Sequence, residues 1–419
     1  WDIFAYLPLA ALVVGYALFR SIKKEMHSRI GFSLAGIAAL AIFATLFYQP
    51  YIASFGQAYG ETRLWTGSHT PLSSYFTHWG LFLFVIVSWM WWETHEWMAN
   101  TPLSALNKLR PHRSTMNLIG AGLLAFLIWL AYLGIGIGWI ALPLAFWAGL
   151  LILRADLDEG KRLVLFLVGT GLVLTIAVEV IVLVGDIGRM NTVFKLYLQT
   201  WTFFALSAGA SLGWLLPEIT KKWTPNWRSA WQSVAIILLA GAALFTITAT
   251  FDKIRDRTAS EAPPGLDGMA YMATASHWDE ADMDLGQDYK GILWMRENVE
   301  GSPVIVEANT PEYRWGSRYT IYTGLPGVVG WNWHQRQQRA LIPPNLITDR
   351  VDEIRAFYET TDLSEAELFL QKYDVRYIVL GQLEQNYYPG EGLEKFESSE
   401  GGLWDEVFRD KDTVIYAVR

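Results

Sequence analysis

The chain has 419 residues, 52% of them hydrophobic, with 21 tryptophans and a mean hydropathy of +0.21. That is too apolar for an ordinary soluble domain and points to a membrane protein. There is no cysteine, which excludes a disulfide framework, a thiolate metal site and a thiol nucleophile.

Eight apolar runs, each near the ~20 residues that a bilayer span requires, are predicted at 2–19, 30–48, 76–97, 117–133, 137–153, 163–184, 196–216 and 231–250. Trp1 stands first with no basic segment before it, so the first run reads as a span and not as a signal peptide. An N-terminal portion is expected ahead of it. The fourth and fifth runs meet at Gly134, Gly136 and Gly138, a spacing that suits close helix packing. Tryptophans cluster at 89–97 and 223–231, where interfacial anchors are expected.

Charge sets the orientation. Residues 1–250 carry 16 Lys/Arg against 11 Asp/Glu, and residues 251–419 carry 17 against 30. Within the apolar half, four alternate connections (Arg20–Arg29, Lys108–Arg113, Arg154–Arg162 and Lys221–Arg228) hold 13 Lys/Arg, and the other three (49–75, 134–136 and 185–195) hold 3. The positive-inside rule places the first group in the cytoplasm. Trp1, the loops 49–75 and 185–195, and all that follows residue 250 are then expected outside the cell.

The fold class expected is a polytopic α-helical membrane domain over 1–250, an irregular connector over 251–287 and a small extracytoplasmic α/β domain over 288–419. In the last, a helix is predicted at Asp288–Val299 and strands at Val304–Ala308, Arg318–Thr323, Arg376–Leu380 and Thr413–Val418. Two helices are predicted at about 349–359 and 364–373, the second opened by the capping pattern Ser364-x-x-Glu367.

Three polar sets fall on the predicted outer side. The first is Gly185–Lys195. Glu179 and Asp186 lie seven residues apart, two helical turns and hence one face. Asn191, Lys195 and Gln199 form a second face at four-residue spacing. Ionisable groups at this depth are costly and point to function. Here they suit an anionic ligand, with Arg189 and Lys195 on phosphate and Glu179 or Asp186 as general base or as ligand to a divalent metal. The bland alternative is a Glu179–Lys195 ion pair joining two helices. The second set, 313–339, combines Arg314, Arg318, Arg336 and Arg339 with Trp315, Trp331, Trp333 and His334. Aromatic faces beside guanidinium groups suit a sugar or phospho-sugar, and a packed core with a solvated basic helix is the alternative. The third is the loop 49–75, with Glu61, Arg63, Trp65, His69 and Thr70-Pro71-Leu72-Ser73, either a segment at the lipid surface or a plain connector.

Other signals carry little. His95-Glu96 lacks a second histidine at 99, and the acids Asp279, Glu280, Asp282, Asp284 and Asp288 miss the calcium-loop spacing. The acidic tail argues against nucleic acid.

The segments GDIGRMNTVFKLYLQTW, HTPLSSYF, YTGLPGVVGWNWHQRQQR and KYDVRYIVLG…NYYPGEGLEKF together resemble the YYY membrane protein family, from about residue 45 to the end. That family in turn looks like the C-type (GT-C) glycosyltransferases. The resemblance implies a cell-membrane enzyme that takes a sugar from a polyprenyl-phosphate donor to an acceptor on the outer face. It also implies an acidic catalytic motif in a first outer loop ahead of Trp1, so the catalytic residue is left unknown here, with Glu179 and Asp186 as candidates. Arg189, Asn191, Lys195, Gln199, Arg314, Arg318, Trp331, Trp333, His334 and Arg339 are the expected substrate contacts. No metal ligand set and no cofactor is assigned. Membrane lipid, the lipid-linked sugar and an acceptor are the expected partners. A non-catalytic subunit docking membrane-complex partners is the alternative function, and a transporter is disfavoured because no inverted repeat or pair of broken helices is present.

Overall fold

The computed structural model describes residues 3–54, 61–339, 341–343 and 345–419. Trp1, Asp2 and residues 55–60 of the first polar loop, on which parts of the sequence reading fall, lie outside the described residues. The chain divides into two compact units, Trp1–Gln49 with Tyr59–Ala249, and Pro50–Ala58 with Thr250–Arg419.

Each of the eight apolar runs forms a helix: α1 (Ile3–Ser21), α2 (Met26–Ser54), α3 (Leu72–Asn100), α4 (Arg113–Tyr132), α5 (Gly138–Ile152), α6 (Glu159–Val180), α7 (Met190–Lys222) and α8 (Pro225–Arg257). Six are long and apolar enough to cross a membrane, and α1 and α5 are shorter apolar helices. Large apolar side chains such as Phe47, Leu118 and Leu153 face outward, as they do where the solvent is hydrocarbon.

The core of this unit is built on α6. Asp158 caps it, its carboxylate accepting from the backbone N–H groups of Gly160 and Lys161. One face of α6 carries Leu165, Val168 and Leu172, all buried. At Gly171 the ring of Phe204 on α7 approaches so closely that an added Cβ would lie 2.6 Å from it. Gly134 takes a left-handed φ of 77°, which lets α4 and α5 join in a tight turn. At Gly138 an added Cβ would meet Leu130 at 2.7 Å, as the packing role of these glycines requires.

The α6 run is shorter than expected. The helix ends at Val180, and Ile181–Leu183 forms strand β2, antiparallel to β1 (Thr62–Leu64). A run of β-branched residues favours this change.

The second unit holds a four-stranded sheet in the order β5-β6-β8-β7. It contains β5 (Val304–Val306), β6 (Val375–Leu380), β7 (Trp404–Asp410) and β8 (Thr413–Val418). β5 and β6 are parallel, and the other pairs are antiparallel. Helices α9 (Leu285–Asn298), α10 (Arg318–Thr323), α11 (Asn332–Gln338), α12 (Asn345–Glu359), α13 (Leu363–Tyr373) and α14 (Gln382–Tyr387) accompany it.

Four expectations are corrected. The stretch 251–287 is not an irregular connector: α8 runs to Arg257, and β3 (Ser276–Asp279) and β4 (Ala281–Asp284) form a hairpin whose last residue caps α9. Arg318–Thr323 is helical, because Arg318 is drawn into the core by buried carboxylates. The cap of α13 is Asp362, whose carboxylate accepts from Ser364 N at 2.8 Å. Strand β7 is additional, its charged residues having masked an alternating pattern.

Lys395 is 4% exposed and has carbonyls, not carboxylates, as partners: Nζ donates to Tyr358 O at 2.9 Å and Gly392 O at 2.7 Å. Burial pulls its ammonium down to about 8 from an ordinary 10.5. The unfolded chain therefore binds more protons than the folded one between these values, so this group makes stability rise with pH there. Below pH 8 its contribution is flat and unfavourable. The unfolding midpoint of the wild-type chain should thus rise relative to that of Lys395→Met from pH 8 to pH 9.5, read by calorimetry. A difference independent of pH would contradict this origin.

Candidate functional site

The polar residues at the α6–α7 junction are brought together by two short strands. Val184 N donates to Glu61 O at 2.9 Å and Trp65 N to Val180 O at 2.8 Å, extending the β1–β2 ladder. This fixes the loop before α3 against the end of α6. The chain then turns through Gly185 and Gly188, both left-handed, at φ 86° and 62°. Asp186 closes the start of α7. Its Oδ1 accepts from Asn191 N at 3.0 Å and its Oδ2 from Thr192 N at 2.9 Å. The Asn191 amide and the Thr192 hydroxyl add bonds at 3.1 and 2.8 Å. Partial burial pushes the Asp186 carboxyl up, but the donors on Thr192 and Asn191 outweigh it and hold the group below its ordinary value.

Glu179, fully buried one residue before the end of α6, is the centre of the site. Its Oε1 accepts from the Thr70 hydroxyl at 2.5 Å and lies 2.8 Å from Arg189 Nη1. Its Oε2 accepts from Thr70 N at 3.0 Å and lies 3.1 Å from His69 Nδ1. An ionised carboxylate has about four acceptor positions, and here four donors take them. The guanidinium is held in turn: Nη1 donates to Val178 O at 2.7 Å, Nη2 donates to Thr70 Oγ1 at 3.1 Å, and the Trp65 ring lies 5.4 Å from it. Loop, helix end and helix start thus meet on one carboxylate.

This arrangement revises the expected geometry. Asp186 does not share a helical face with Glu179, since the helix stops between them. Asp186 is a helix cap, and Glu179 pairs with Arg189 rather than with Lys195. Lys195 is half-buried on α7, and among the described residues it makes no ion pair or hydrogen bond. Asn191 is spent on Asp186, and Gln199 is buried one turn beyond Lys195. His69 and Thr70 belong to the third polar set and are not among the expected substrate contacts. Their signal is a polar pair directly before Pro71, since proline disfavours the helical conformation in the residue that precedes it and so keeps Thr70 out of α3.

The other set lies in the second unit and separates into two groups. Arg318 is 1% exposed and is enclosed by Asp288 at 2.8 Å, Glu384 at 2.9 Å and Glu307 at 3.6 Å, which makes it a core residue. Arg314 pairs with the buried Asp279 at 3.2 Å. Trp331 and His334 lie 5.2 Å apart by ring centroids, Trp333 is exposed beneath Arg336, and Arg339 is exposed at the end of α11. The crevice that Trp331, Trp333 and His334 line encloses about 20 Å³, which is room for one water and not for a sugar ring. A sugar could meet these rings only on the surface.

A divalent metal fits poorly. Among the described residues no three His, Asp or Glu are grouped so as to hold a metal ion, and the oxygens of Glu179 and Asp186 are already occupied.

Removing Arg189 would strand a buried carboxylate. Arg189→Met should destabilise the protein by about 3–5 kcal/mol, and the double variant Glu179→Met/Arg189→Met should be much less affected than the sum of its parts. Thermal unfolding in detergent, taken through the full double-mutant cycle, measures this. Additive effects would show that the pair is not coupled.

No curated protein matches the sequence. The family described as uncharacterized membrane protein (DUF2298) matches residues 1–204. The match ends within α7 and leaves the motifs at 322–339 and 372–396 outside it. It covers every residue of the Glu179 cluster, and over this segment, just under half of the chain, the sequence matches that family of uncharacterized membrane proteins, the YYY type.

Proposed function

We propose that the protein is a membrane glycosyltransferase of the C type, with eight spans in this chain, seated in the cell membrane with its α/β unit outside. The donor is a polyprenyl-phosphate-linked sugar. An acceptor hydroxyl attacks the anomeric carbon, the bond from that carbon to the phosphate oxygen breaks, the negative charge collects on the lipid phosphate, and the hydroxyl proton passes to that departing phosphate or to water. A cation at a low-dielectric boundary lowers the cost of that charge.

The observation that carries this reading is Lys195. An ammonium on a membrane helix without a counter-charge is expensive, and an anionic ligand removes the cost. Glu179 does not serve, because Arg189 and its three companions occupy it. Arg189 is then a positioning residue that keeps the start of α7 and Lys195 in place, and Asn191 orders the same turn through Asp186. Gln199 extends the face along the helix. Trp331, Trp333, His334 and Arg339 are assigned to the acceptor or sugar as a surface platform. Neither Glu179 nor Asp186 is assigned as the base, since both are saturated with donors.

A second reading has one observation in its favour. The Glu179 cluster is satisfied entirely by its own chain, as a structural joint would be, which suits a non-catalytic subunit of a membrane complex.

Transfer from a radiolabelled polyprenyl-phosphate sugar in membranes holding the full-length protein separates the two. Lys195→Ala should leave folding intact and lower transfer on the order of 100-fold, as loss of one charge-stabilising donor does. Wild-type rates in that variant would remove Lys195 from the mechanism. No transfer by the wild-type protein with any such donor would favour the subunit.

A further inference from the structure

At the opposite end of the bundle, α3, the end of α7 and the start of α8 line an open-sided chamber of about 690 Å³. That lies within the ~300–1,000 Å³ range of small-molecule sites. Its wall is mainly indole: Trp91, Trp92, Trp223, Trp227 and Trp231. The floor is Phe84, stacked on Trp231 with ring centroids 5.3 Å apart. This floor is fixed in place. Trp231 Nε1 donates to Ser88 Oγ at 2.9 Å, and Ser88 Oγ donates to Phe84 O at 2.7 Å. The mouth carries His95 and Lys222. From His95 to Phe84 is eleven residues of helix, a rise of about 16 Å. That is half of the ~30 Å hydrocarbon thickness of a bilayer, so the chamber has the depth of one leaflet.

The mouth is also cationic. Lys222 lies between Glu96 at 3.1 Å and Glu218 at 2.9 Å, and with Lys221 and Arg228 added these five groups carry a net +1. Lys221 and Arg228, next to the rim residues Lys222 and Trp227, have no acidic partner among the described residues. Interfacial tryptophans around an apolar slot, with net positive charge at its mouth, match a lipid headgroup that carries negative charge.

We infer that this chamber binds a two-chain anionic phospholipid from the leaflet at the basic end of the bundle, with its phosphate near Lys221 and Arg228 and an acyl chain running down α3 to the Phe84–Trp231 floor. The inference rests on the charge distribution of the connections and not on sugar transfer, so it stands or falls separately from the proposed reaction.

Native mass spectrometry of the full chain, purified in detergent and incubated with dioleoyl-phosphatidylglycerol or dioleoyl-phosphatidylcholine, tests it. Wild-type protein should retain one phosphatidylglycerol per chain, with a preference over phosphatidylcholine on the order of tenfold, as a rim of net positive charge near the phosphate provides. The surface variant K221Q/R228Q should bring the two lipids to near parity. Ala230→Trp, which fills the chamber, should abolish retention of both, with size-exclusion and circular dichroism reporting its fold. Equal retention of the two lipids by the wild type, or an unchanged preference in K221Q/R228Q, would overturn the assignment whether or not Ala230→Trp folds.

Discussion

A carboxylate without access to water needs its acceptor positions filled, and that constraint shapes the α6–α7 end of the membrane unit. Glu179 is fully buried, and its donors come from Thr70, His69 and Arg189. The first two precede α3 and the third precedes α7. Three helices are therefore registered by one charge. The short β1–β2 ladder brings the backbone to within reach, and Asp186 relieves the free N–H groups of the α7 start. Each of these devices satisfies polar groups that lipid cannot.

The consequence for function is a division of labour among groups that look equivalent in sequence. Arg189 and Lys195 are both cations in one polar stretch, but Arg189 is bound to its own chain while Lys195 has no such partner. Glu179 and Asp186 are both acids, yet each is consumed by local structure. What remains able to meet a ligand is narrower than the list of ionisable residues, and it centres on Lys195. In the second unit the same sorting removes Arg318, which sits among three buried carboxylates, and leaves the exposed rings of α11 and its approach.

The helices of the membrane unit are legible because each apolar run is long and its neighbours are charged or glycine-rich. The break after Val180 is less so, since Ile181–Leu183 is as apolar as the helix before it, and only β-branching marks the change. The choice of Arg189 over Lys195 as partner of Glu179 is not legible at all, because it depends on Thr70 and His69, more than a hundred residues away in the chain. The error at Arg318–Thr323 has the same source. Alternating Tyr, Ile and Thr favours a strand locally, while the burial of Arg318 against Asp288 and Glu384 decides for a helix. In the hairpin 276–284, acidic residues suggested a solvated connector, and Asp279 is in fact buried against Arg314, Trp315 and Tyr387.

The most direct test is a density map of the full-length protein in lipid nanodiscs, resolved finely enough to place side chains at residues 65–75 and 179–199. The Arg189 guanidinium should lie against Glu179, near the 2.8 Å of this structure, with Thr70 and His69 on the same carboxylate. Lys195 should point away from it, with density for a phosphate-bearing ligand at its ammonium. Lys195 paired with Glu179, and Arg189 released from it, would contradict both the joint and the site built on it.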